Sequence, residues 1–274
     1  MIELQGCNNE NFVVLGLGRS GLASARALNA SCANVICWDD DLEKRSLASS
    51  QGLRVIGAVS DFDWESVDRL IISPGVPHHF PSPHPIVSAA VSAGVLIDND
   101  VGLFFQSIAT ESWEKFSVRP RIVAVTGSNG KSTTASLLHH IFLKLGYKSQ
   151  LAGNIGRGVL DIDPPENNEL IVLELSSYQT EVARILSPDL AIFTNFSADH
   201  LERHGGIGGY LAAKRRLFTE GCPDYSIIGV DELAGLNLAQ QLSASIGDES
   251  IIRVSATKQI RLSLIHISEP TRRR

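Results

Sequence analysis

Val123-Ala124-Val125-Thr126-Gly127-Ser128-Asn129-Gly130-Lys131-Ser132-Thr133-Thr134 decides the fold class of this chain. An apolar, valine-bearing run reaches a glycine turn. Lys131-Ser132-Thr133 then opens a helical pattern carried by Leu137, Leu138, Ile141 and Phe142. Strand, glycine loop and helix in that order suit a phosphate: glycines let backbone N–H groups close round it, and the helix N-terminus adds free donors and a positive dipole end. Lys131 supplies a full positive charge, and the hydroxyl of Ser132 or Thr133 can ligate Mg²⁺. The common G-x-x-x-x-G-K-[ST] pattern is not fully met, because Val125 stands at its first glycine; the loop is a compact G-x-x-G-K-S-T. A nucleotide phosphate is expected on Gly127, Ser128, Asn129, Gly130, Lys131, Ser132 and Thr133.

Working outward toward the N-terminus, Phe12 to Leu15 reads as a buried parallel strand followed by Gly16-Leu17-Gly18-Arg19-Ser20-Gly21 and a helix from Leu22 to Leu28. A second strand, Asn34–Trp38, ends in Asp39-Asp40-Asp41, about 20 positions after the glycines, where a dinucleotide fingerprint places its ribose contact. Taken alone this pair suggests NAD, although any nucleotide diphosphate, or a purely structural turn, uses the same pattern. Strands are also expected at Leu53–Ile56, Arg69–Ile72 and Val95–Ile97, with a helix from Ile86 to Ala93 capped by Gly94. Arg69–Ile72 runs into Ser73-Pro74-Gly75, a turn at the carboxyl edge of the sheet where open α/β sheets bind ligands. These five β-segments describe one doubly wound domain over residues 1–118, with a polar linker across 110–120.

The 274 residues suffice for one large or two ordinary domains, and a composition of 43% hydrophobic and 20% charged residues is that of a globular chain. A net charge of −6 argues against nucleic acid as a main partner. Four cysteines without C-x-x-C spacing read as reduced thiols. The absence of a signal-like start or of an 18-residue apolar run points to a cytoplasmic protein with no membrane contact.

Downstream of the loop, Gly153-Asn154-Ile155-Gly156 is a turn and Leu170–Leu173 an apolar strand that delivers Glu174 to its carboxyl end, placed to hold Mg²⁺. The strand from Leu190 leads to Asp199-His200-Leu201-Glu202, where position favours His200 as a second metal ligand or phosphate contact. A helix over Tyr210–Phe218 carries Lys214, for which pattern alone makes a solvated lysine the default. Further along, Ser226–Val230 reads as a strand and Leu233–Leu242 as a helix.

Thr126-Gly127-Ser128-Asn129-Gly130-Lys131-Ser132-Thr133, Gly153-Asn154-Ile155-Gly156, Glu174-Leu175-Ser176-Ser177-Tyr178-Gln179, Asn195-Phe196-Ser197-Ala198-Asp199-His200-Leu201 and Ala213-Lys214 together resemble the Mur ligases, ATP-dependent amide-forming enzymes of peptidoglycan precursor synthesis. The N-terminal glycine turn and Ser73-Pro74-Gly75 resemble the members that add D-glutamate to UDP-N-acetylmuramoyl-L-alanine. The resemblance implies a Rossmann-like UDP-binding domain, displacing NAD, and a central P-loop-type ATP domain over residues 119–261. It implies an acyl-phosphate intermediate, with Lys131, Glu174, His200 and Lys214 in the chemistry and two Mg²⁺ ions held by Ser132, Glu174 and His200. Lys214 would be carbamylated. Gly18, Arg19, Ser20, Asp39, Ser73, Gly75, Asn154 and Ser176 would contact the acceptor substrate. The resemblance also implies a monomer, and a third Rossmann-like domain that is absent here, so that this chain alone would be inactive. Residues 262–274 fit no element and read as a non-native tail. The alternatives are another Mur or folylpolyglutamate-type ligase, or a non-catalytic nucleotide-binding fragment.

Overall fold

The computed structural model describes residues 2–58, 62–110 and 116–257. The chain builds two wholly parallel sheets flanked by helices. The first comprises β1 (Asn11–Leu15), β2 (Asn34–Trp38), β3 (Arg69–Ile72) and β4 (Leu96–Asp98) in the order β2-β1-β3-β4. Its helices are α1 (Arg19–Ala30), α2 (Leu42–Ser50), α3 (Pro85–Ser92) and α4 (Asp100–Thr110). The second sheet contains β5 (Arg121–Thr126), β6 (Ser149–Gly153), β7 (Leu170–Glu174), β8 (Leu190–Phe193), β9 (Tyr225–Gly229) and β10 (Ile251–Val254), ordered β10-β9-β8-β5-β7-β6. With it come α5 (Lys131–Lys144), α6 (Ser177–Val182), α7 (Ile207–Thr219) and α8 (Leu233–Ile246).

Both faces of these sheets are covered, so the middles of the inner strands are largely apolar, as in Leu70–Ile72 and Ile171–Leu173. In β1, Phe12 and Val14 face one layer while Val13 and Leu15 face the other, as strand pleating requires. One continuous apolar cluster passes from Phe12 and Leu28 through Val101, Leu103, Phe104 and Phe105 of α4. It continues into Ile122, Leu173, Phe193 and Leu238 of the second unit. The two sheets therefore share a core, with α4 between them.

β2, β3, β7 and β9 lie within a residue of their expected spans. Leu53–Ile56 is not a strand: Val55 makes a single bridge to Cys37 beside β2. The pairing consists of the Cys37 N–H donating to the Arg54 carbonyl at 2.8 Å and the Ile56 N–H reaching the Cys37 carbonyl at 3.4 Å, and it stops at that bridge. Of the linker expected over 110–120, residues 111–115 lie outside the described residues, as does the whole of 262–274. No helix among the described residues is long and apolar enough to cross a membrane.

Candidate functional site

The loop between β5 and α5 is built by its neighbours. Gly127 has φ +139°, and a Cβ there would stand 2.0 Å from the Thr194 hydroxyl. The N–H groups of Ser128 and Asn129 donate to the Asn195 carbonyl and Asn195 Oδ1, both at 2.9 Å. Thr194 Oγ1 donates back to the Asn129 carbonyl at 2.7 Å. These two donors of the loop are thus committed to the protein. Free donors belong instead to the first turn of α5, whose N-cap Gly130 (φ +77°) supplies no side-chain bond. Ser132 and Thr133 are exposed on that turn, and Lys131 Nζ folds back onto the Ser128 carbonyl at 2.8 Å. Thr194 and Asn195 were not expected in this role. The signal that could have found them is their place at the end of β8, the strand paired with β5.

Glu174 pairs in register with Val125, which sets its side chain at the sheet edge beside the loop. It is 1% exposed. Asn154 Nδ2 donates to its Oε1 at 3.2 Å, while Oε2 is buried and accepts no hydrogen bond. A desolvated carboxylate oxygen without a donor is costly unless a cation or a ligand meets it. It therefore fits a hard divalent cation that takes oxygen ligands. No group of three His, Cys, Asp or Glu able to hold a metal occurs among the described residues, so the remaining ligands would be hydroxyls, water and phosphate oxygens.

Lys214 overturns the solvated default. It is 1% exposed, donates to the Gly127 carbonyl at 2.7 Å and lies 4.5 Å over the Tyr210 ring. Burial, with Lys131 adding to it, pushes its amine down to about 7; Asp199 opposes the shift. His200 is on the opposite footing: half-exposed, with Nε2 3.4 Å from Asp199 and its ring 5.2 Å from that of Tyr178.

Gly18, Arg19, Ser20, Asp39, Ser73 and Gly75 all line one cavity of about 420 Å³ at the carboxyl edge of the first sheet. The side chains of three of them make hydrogen bonds within the protein. Asp39 accepts from the N–H groups of Leu17 (2.6 Å) and Asp41 (2.8 Å), so it fixes the glycine turn as well as lining the cavity. Ser73 Oγ donates to the Gly16 carbonyl at 2.7 Å. The guanidinium of Arg19 leaves the cavity and donates to the carbonyls of Asn154 (2.8 Å) and Gly156 (3.0 Å) on the second unit. Ser176 caps α6, its Oγ accepting from the Gln179 N–H at 3.3 Å.

Residues 125–268 match the Mur ligase middle domain. The chain belongs to the Mur ligase family. It is 55% identical over 260 residues to a UDP-N-acetylmuramoylalanine–D-glutamate ligase of Cereibacter sphaeroides, covering 95% of this chain and 56% of that protein. The enzyme of the same name from Dinoroseobacter shibae is 56% identical over 258 residues, 94% of this chain and 56% of its own length. The Mur ligase chain thus spans about half the length of the curated relatives it matches. Among solved structures, UDP-N-acetylmuramate-alanine ligase from Thermotoga maritima is 20% identical with a TM-score of 0.46, covering 91% of this chain and 53% of that one.

Proposed function

We propose that this Mur ligase chain carries the acceptor and ATP sites of an enzyme joining D-glutamate to UDP-N-acetylmuramoyl-L-alanine. The observation that carries the reading is the convergence of Lys131, buried Lys214 and the unpaired Glu174 oxygen on the loop at the uncapped start of α5. The relatives named above support the substrate pair. The cavity at the first sheet takes the UDP end, and residues 1–118 and 119–261 form the two domains.

In this reading ATP is a substrate. Lys131 and the first-turn N–H groups of α5 hold its terminal phosphates, and the acceptor's carboxylate oxygen attacks the γ-phosphorus, releasing ADP and leaving an acyl phosphate. The amine of D-glutamate then adds to the acyl carbon. The tetrahedral intermediate collapses with loss of phosphate and a proton, giving the amide. Ser132 or Thr133 with Glu174 would hold one Mg²⁺ and His200 would be the candidate for a second; such cations would offset the charge that builds on the transferring oxygens. Lys214, with a neutral amine fraction at pH 7, can add CO₂ and lose a proton, becoming a carbamate. A buried cation thereby becomes an anion able to orient Mg²⁺. Asn154, tied to Glu174, and Ser176 present polar groups to the acceptor.

Calorimetry of the chain with UDP-N-acetylmuramoyl-L-alanine, with Mg²⁺·ATP and with NADH tests the reading. Binding of the first two is expected. Binding of NADH in place of the UDP compound would overturn it.

A further inference from the structure

Three carbonyl oxygens of the second unit converge on one side chain of the first. Arg19 opens α1 directly after Gly18 at the cavity of the first sheet, and its guanidinium reaches the turn that follows β6. Nη1 donates to the Gly156 carbonyl at 3.0 Å, and Nη2 to those of Asn154 at 2.8 Å and Gly153 at 3.5 Å. Gly153 (φ +110°) and Gly156 (φ +64°) let the backbone turn its oxygens toward one point. Carbonyl dipoles aimed together repel one another unless a cation or a fork of donors stands between them, and a guanidinium is both.

Asn154 belongs to this turn and is exposed, so hydrogen bonds rather than packing hold it. Its N–H donates to the Glu174 carbonyl at 2.8 Å, and its own carbonyl makes the shortest of the three bonds to Arg19. With the backbone pinned on both sides, the side chain leaves in a set direction, and Nδ2 donates to Glu174 Oε1 at 3.2 Å. That bond leaves Oε2, buried and accepting no hydrogen bond, as the oxygen open to a cation. We propose that Arg19 is a positioning residue for the metal-holding carboxylate: by gathering the carbonyls of the turn it keeps Asn154 on Oε1 of Glu174 and so fixes where Oε2 points. The inference rests on the proposed reading of Glu174 as a Mg²⁺ ligand. The residue that opens the helix at the nucleotide cavity thereby braces the site at which ATP would react.

Charge and position predict opposite signs. A guanidinium acting through its field alone would oppose a divalent cation, so removing it would strengthen Mg²⁺ binding. Removing a brace weakens it. Calorimetry of the whole chain with ATP, in the presence and absence of Mg²⁺, gives the metal-dependent gain in ATP affinity. Arg19→Met should cut that gain about fivefold, with metal-free ATP affinity within about twofold of wild type. Arg19→Lys keeps the charge but not the fork, and should cut it about threefold. In an Asn154→Ala background, where the brace has nothing to hold, adding Arg19→Met should change the gain by less than about 1.5-fold. With no metal or nucleotide present, the Asn154 side-chain amide signals of an asparagine-labelled sample, identified by their loss in Asn154→Ala, should shift in Arg19→Lys. An unchanged or larger gain in Arg19→Met, an equal effect with and without the Asn154 side chain, or amide signals unmoved in Arg19→Lys would overturn the role of Arg19. Should Arg19→Met fail to fold, Arg19→Lys carries the same comparisons. A wild type with no metal-dependent gain would instead sink the reading of Glu174 itself.

Discussion

Replacing Lys214 with methionine keeps the length and most of the volume of a side chain that is 1% exposed, and removes its charge. The amine sits near 7 in the folded chain against the ordinary 10.5. Between those values the unfolded chain holds a proton that the native one lacks, so wild-type stability rises with pH; it is fully present above about 10.5 and lost as pH falls through about 7. Integrating that proton difference from pH 7 to 9.5 gives a gain of about 3 kcal/mol, with about 2–4 covering an error of a pKa unit. Lys214→Met has no such gain, and other titrating groups cancel in the difference between the two proteins. Urea unfolding of both, at pH 7 and 9.5 in CO₂-free buffer, should therefore show the wild type improving on the variant by about 3 kcal/mol. A difference that stays flat within about 0.5 kcal/mol would refute the burial argument, because it would mean an amine with access to water in the folded state. Adding bicarbonate near pH 7 should raise wild-type stability alone if the amine takes up CO₂.

Gly127→Ala combines backbone strain at φ +139° with an overlap on the Thr194 hydroxyl, each about 1–3 kcal/mol, and should abolish ATP binding by calorimetry; retained binding would show that the loop tolerates rebuilding. Glu174→Gln should leave the Asn154 contact satisfiable but cut the Mg²⁺-dependent gain in ATP affinity by about tenfold, seen by titrating ATP with and without the metal; an unchanged gain would place the cation elsewhere. Arg19→Ala removes three bonds to carbonyls of the second unit, those of Gly153, Asn154 and Gly156, and should cost about 1–3 kcal/mol in urea unfolding, whereas a change below about 0.5 would mean that water replaces them.

The inner strands were legible because double-sided burial writes itself as runs of valine, isoleucine and leucine, as in Leu70–Ile72 and Leu170–Leu173. The edge strands β6 (Ser-Gln-Leu-Ala-Gly) and β10 were not, since an edge asks less of its residues. Among the helices, α2 escaped notice because only Ala48 of it is buried, which leaves no apolar stripe. In α4 the opposite holds: Val101, Leu103, Phe104, Phe105 and Ile108 are apolar on several faces, and no period stands out. The loop, Glu174 and the cavity residues were readable from their positions at strand ends. The other partners of Arg19, Ser73 and Asp39 were not, since spacing says nothing about carbonyls 135 and 137 residues away or about which hydroxyl a glycine turn uses. Lys214 was the hardest to read, because AAKRR offers three cations to solvent and only tertiary packing selects the one that turns inward.

The placement of α4 bears on how this chain could be cut or recombined. Its phenylalanines belong to neither sheet alone; a break between β4 and β5 would strip a wall from whichever half lost the helix and leave its apolar face wet on the other. The sequence suggests a seam near residue 118, but the apolar cluster runs across it from one sheet to the other. Damage on one side of α4 reaches the other through shared packing, and protease nicking in the connection would release no self-sufficient half. Module exchange between such chains would have to carry α4 together with the surfaces of α1 and α6 that it touches.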